Sequence, residues 1–96
     1  MDFLDKVYKK SDSIVSRKIA DEYVLVPIKK NVGDLENIYT LNEVAARIWE
    51  LIDGKRSVGD IQMRIYQEFE VTVEQAEKDV KEFLSKLEKG EIIERK

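Results

Sequence analysis

The chain has 96 residues, 43% of them apolar and 39% charged, with neither cysteine nor histidine. Disulfides, thiolate metal sites, imidazole bases and histidine pH switches are thereby excluded, and the single core has to be built from packing alone. A net charge of −3 from mixed signs describes a solvated surface rather than a basic face for nucleic acid or anionic membrane.

The first residues, Met1 to Lys6, lack a basic start followed by an apolar run, so no signal peptide is expected. No apolar stretch approaches the roughly 20 residues of a membrane span, and the expected location is the cytoplasm. Residues 1–13 read as an N-terminal arm in which Phe3, Leu4, Val7 and Tyr8 have helix-like spacing. One turn of helix there is marginal alone, so the segment reads as a partly ordered arm; the alternative is that its apolar face docks on the body or on a second copy, making a homodimer.

Residues 14–96 form the body. Ile14, Val15 and Ile19, then Tyr23 to Ile28, then Ile38 to Leu41 are rich in β-branched and aromatic types, predicting three strands of an antiparallel meander. Pro27 has no N–H to donate and is expected to end the second strand's pairing or to sit at a bulge; Gly33 suits a left-handed turn. Such a sheet needs a cover on one face. Three helices supply it. Asn42 caps the first, with Val44, Ala45, Ile48, Trp49 and Ile52 on one face and Gly54 beyond its end. Ser57 and Asp60 predict a capping box for the second, with a stripe of Val58, Ile61, Ile65, Tyr66 and Phe69. Thr72 and Gln75 repeat the signal for the third, where Val73, Ala76, Val80, Phe83, Leu84 and Leu87 share a face and Gly90 ends it. A short apolar tail, Glu91 to Glu94, would pair or pack. Strands followed by helices make the class α+β.

No enzyme signature is present. The hydroxyls have no histidine partner, the glycines are too scattered to cradle phosphate, and no calcium-loop spacing occurs. Carboxylates such as Glu68 and Glu70 are read as solvated surface, so no catalytic residue, metal ligand or cofactor is assigned. Three helices after a sheet also fit a winged-helix DNA reader. Its reading helix would be the third, whose Glu74, Glu77, Asp79, Glu82 and Glu88 outnumber Lys78, Lys81, Lys86 and Lys89, without an arginine for guanine. An oligomerisation module, pairing chains through an edge or the arm, is the other alternative. A meander leaves two edges of unpaired backbone groups, and an extended guest peptide can add to one.

From about Val15 onward the chain resembles the PqqD family, pyrroloquinoline quinone biosynthesis protein D and its relatives. The resemblance rests on Tyr39-Thr40-Leu41-Asn42-Glu43-Val44-Ala45-Ala46-Arg47-Ile48-Trp49-Glu50-Leu51-Ile52-Asp53-Gly54. Ser57-Val58 with Ile61, then Asp79 to Leu84 with Leu87, and Gly90-Glu91-Ile92-Ile93 extend it. It implies a winged-helix-like recognition element that binds no nucleic acid. The implied role is non-catalytic capture of the leader of a ribosomally synthesised precursor peptide, for a radical S-adenosylmethionine enzyme or a leader peptidase. The leader would add to the third strand beside the third helix. The resemblance thus implies peptide contacts from Asn37, Ile38, Tyr39 and Thr40, and from Ala76, Asp79, Val80, Phe83 and Lys86. Asp79 is the candidate for reading leader charge, while Trp49 is read as a core anchor. The arm, residues 1–13, has no counterpart in the resemblance.

Overall fold

In the computed structural model, residues 3–28 and 39–96 are described; the expected turn at Gly33 and the candidates Asn37 and Ile38 lie outside them. A 3-10 turn at Phe3–Asp5 precedes strand β1 (Tyr8–Lys10), followed by β2 (Ile14–Ile19), β3 (Glu22–Pro27) and β4 (Tyr39–Leu41). Helices α1 (Glu43–Leu51), α2 (Val58–Glu68) and α3 (Val73–Lys89) come next, and β5 (Ile93–Arg95) closes the order. The strands β2, β3 and β4 form an antiparallel sheet in that spatial order, and the three helices follow it, giving the expected α+β fold.

The pairing places Leu25 opposite Tyr39 and Tyr23 opposite Leu41, so these four side chains share the face turned to the helices. Leu25 and Leu41 are buried there, with Ile48, Trp49, Ile61, Ile65, Val80, Leu84 and Leu87 from the helices. Pro27 ends β3, opposite Ile14, where a missing donor costs no interior ladder bond.

Local side-chain chemistry sets the helix starts. The Asn42 carboxamide oxygen accepts from the Ala45 N–H at 2.8 Å, Ser57 and Asp60 complete a reciprocal capping box, and the Thr72 hydroxyl accepts from Gln75 N–H at 3.0 Å. Each satisfies a backbone donor that the first helical turn leaves without a partner. Gly54 takes φ +77° after α1, as its position suggested. The stripes are narrower than the sequence suggested. Tyr66 is 44% exposed because α2 turns it away beside buried Ile65, and Val73 is 55% exposed at the first position of α3.

The N-terminal segment departs most from expectation. Tyr8 is 2% exposed, and β1 pairs antiparallel with β5 instead of continuing a helix. The opposite side of this segment is also used: Gly54 N–H donates to Tyr8 O, and Val58 N–H donates to Lys6 O. The Tyr8 hydroxyl reaches the Glu88 carboxylate at 3.1 Å, and burial, foremost, pushes its pKa up. Four apolar residues in a short stretch cannot decide between periods of 2 and 3.6; partners on both sides decide it here.

The helix pair α1–α2 is joined at the surface by Arg47. Its guanidinium grips Glu68 with two bonds, of 2.7 and 3.1 Å, and also reaches Glu50 at 3.3 Å.

Candidate functional site

Strand β4 is an outer strand of its sheet, and Asn42 follows it directly as the cap of α1. With one residue between strand and helix, the first turn of α1 has to lie beside the end of β4. The C-terminal part of helix α3 lies on the other side, where Tyr39 meets Lys86 and Gly90. Between α1 and α3 opens a cleft of about 280 Å³. Val44, Ala45, Ile48 and Phe83 give it apolar walls, while Asn42, Asp79, Glu82 and Lys86 supply polar groups.

The α3 members arise from helical spacing. Positions 79, 83 and 86 are four and three apart and share a flank, next to the stripe of Ala76, Val80, Leu84 and Leu87 that faces the core. Phe83 lies at the border between them and is half-buried. Asp79 is oriented by Gln75, whose Nε2 donates to its Oδ1 at 2.7 Å.

Tyr39 connects β4 to α3. The Lys86 Nζ stands 5.4 Å from the centroid of its ring, and its hydroxyl lies against Gly90 at the end of α3. Expected candidates therefore separate into distinct environments. Asp79, Phe83 and Lys86 line the cleft, with Tyr39 beside Lys86. Thr40 is exposed on the strand, opposite Val24. Ala76 and Val80 are 1% and 0% exposed and lie beneath this surface in the core.

Sequence reasoning missed the α1 wall. Val44, Ala45 and Ile48 were assigned to the core-facing stripe; Ile48 is buried, yet all three line the cleft. The usable signal was Asn42, because a cap one residue after a strand brings the first helical turn to the strand end. Glu82 was read only as one of the exposed charges of α3, and here it lines the cleft. Among the described residues no cluster of carboxylates fit for a metal ion occurs, and no helix is long and apolar enough to cross a membrane.

Fold and cleft together define a class: a small α+β domain presenting an outer strand next to an apolar, charge-rimmed cleft. The chain belongs to the PqqD family, matching the family described as Coenzyme PQQ synthesis protein D over residues 22–93. It is 31% identical to TbiB1, solved in complex with the TbiA(beta) leader peptide, with a TM-score of 0.71 over 90% of this chain and 94% of that one. A lasso peptide synthetase B1 complexed with the leader peptide shares the fold, with a TM-score of 0.73 at 20% identity, over 91% and 96% of the two chains. No curated protein matches.

Proposed function

We propose that this chain captures the leader segment of a ribosomally synthesised precursor peptide as an added strand on β4. It would present that leader to a separate modifying enzyme, a radical S-adenosylmethionine enzyme or a leader peptidase. The observation that carries the reading is the position of outer strand β4 beside the α1–α3 cleft, in a chain 31% identical to a protein solved with a leader peptide. A guest strand gains main-chain hydrogen bonds from an open edge, and a cleft beside it selects among side chains. In this reading the backbone of Asn37, Ile38, Tyr39 and Thr40 receives the guest. Asp79, Phe83 and Lys86 meet its side chains, and Ala76 and Val80 back them from beneath. The chain itself does no chemistry and works in the cytoplasm, where ribosomes release such precursors. The carboxylates of Asp79 and Glu82 in the cleft weigh against a nucleic-acid ligand, since they would repel phosphate.

The test is an amide-shift titration of the full chain with the synthetic leader of the precursor encoded beside its gene. Shifts confined to residues 37–42 and to the 79–86 flank of α3 are expected. Saturating leader without shifts there would overturn the reading, and a mass measurement would then show whether a second copy occupies the edge.

A further inference from the structure

The cleft does not end at Lys86. A second hollow of about 470 Å³ continues along α3, lined by Lys81, Glu82, Ser85, Lys86 and Lys89, sharing Glu82 and Lys86 with the first. Charge is not mixed evenly along this path. Carboxylates of Asp79 and Glu82 mark one end and ammonium groups of Lys86 and Lys89 mark the other; Lys81, level with the acidic end along α3, has its Nζ 5.9 Å from the centroid of the Phe3 ring.

These opposite charges do not neutralise one another. Glu82 and Lys86 have the spacing and order that favour an ion pair on a helix, yet they form none. Lys86 turns instead to the Tyr39 ring, and Asp79 accepts from the neutral Gln75 amide. Among the described residues Lys81, Lys86 and Lys89 join no ion pair, whereas Arg47, Arg56, Arg64 and Arg95 all do.

Taking leader capture as given, we infer that this groove selects its guest by charge order: a basic and an acidic residue four positions apart, flanking an apolar one. The spacing follows from geometry. At a rise of 1.5 Å per residue, α3 runs roughly 10 Å from Asp79 to Lys86 and about 15 Å to Lys89. In an extended peptide, same-face residues four apart lie about 13 Å from each other, with one same-face residue midway. The basic side chain then meets Asp79 and Glu82, the acidic one meets Lys86 and Lys89, and the apolar one lies over Phe83, Val44 and Ala45. The peptide that satisfies all three is a dipolar, amphipathic strand, and reversing its charges reverses the fit.

The probes are fluorescein-labelled synthetic heptapeptides with a central leucine. One carries lysine two residues before it and glutamate two after, a second has these swapped, and two controls carry lysine or glutamate at both places. One mixed peptide is expected to bind about fivefold more tightly than the other three, the size of two exposed ion pairs, and to lose this margin in 1 M salt. The surface variant D79K/E82K/K86E/K89E, its fold checked by circular dichroism, is expected to prefer the opposite mixed peptide. The single variants D79K and K86E should each halve or more the margin. Equal binding of all four peptides, or a preference that the variants do not invert, would overturn the inference. If the native leader still shifts the β4 amides in that case, leader capture stands and charge selection falls. If neither leader nor heptapeptides shift them, both fall.

Discussion

The hydroxyl of Tyr39 occupies the space that a side chain at position 90 would need: a Cβ built on Gly90 would come within 2.5 Å of that oxygen. The glycine is required by this approach and not by its backbone, since its φ of −82° suits any residue. Through this contact the outer strand and the end of α3 are held in one register.

Gly90→Ala should therefore destabilise the fold by about 1–3 kcal/mol, the usual cost of overpacking. Tyr39→Phe in the same chain removes the clashing oxygen, and the next atoms lie at 3.5 and 3.6 Å, ordinary contact. The double variant should recover most of the loss. Urea unfolding of the four members of this cycle measures the coupling; additive losses would show that the contact is not the cause.

The left-handed residue after α3 is Glu91, at φ 60°. Glu91 N–H donates to Glu88 O and Ile92 N–H to Leu87 O, the bond pattern of a Schellman stop. Glu91→Gly should raise stability by about 1 kcal/mol, several degrees in melting temperature, because a side chain strains this conformation. An unchanged or lower melting temperature would contradict that assignment of strain.

Filling the cleft tests its use separately from its fold. Ala45 is half-buried and lines the opening, so Ala45→Phe can project into the space of about 280 Å³. Melting temperature should move little, while calorimetry should show leader affinity reduced at least about tenfold. Undiminished affinity would place the guest elsewhere.

Acid should loosen two surface connections. The two-bond grip of Arg47, foremost, holds the Glu68 carboxyl below its ordinary pKa, and the backbone N–H groups of Arg56 and Lys55 do the same for Asp53. A folded pKa below the unfolded one adds stability above the unfolded value, near pH 4, which is lost as pH falls through the folded value. The difference in melting temperature between wild type and Glu68→Gln, or Asp53→Asn, should be largest near pH 7 and vanish by about pH 2. A difference independent of pH would mean that the carboxylate charge is not responsible.

What could be read from the residues alone was the chemistry that acts over a few positions. Asn42, Ser57 and Thr72 cap helices because each side chain needs only the N–H three residues on. The inward stripes followed from helical period. The cleft was half legible: spacing put Asp79, Phe83 and Lys86 on one flank, but no local rule says that α1 stands opposite. Gly90 was legible as a stop and misleading as to why, since the left-handed place belongs to Glu91 and the glycine answers to Tyr39, far away in the chain. Likewise β1 could not be read, because its partners are Ile93 to Arg95, the turn at Gly54 and the start of α2 at Val58.

That ribbon has a kinetic meaning. Tyr8 pairs with Arg95, while β2 and β3 meet across a two-residue turn and each helix closes on itself. Loop-closure entropy makes the pairing of distant residues the slowest contact to gain. Because Gly54 and Val58 donate to the same segment, its release also frees the corner between α1 and α2. The amide hydrogens of Ser11, Gly54, Val58 and Lys96, all bonded across this ribbon, are therefore expected to exchange with solvent as one unit, the clasp that shuts last when the chain folds; native-state hydrogen exchange with four unrelated rates would contradict it.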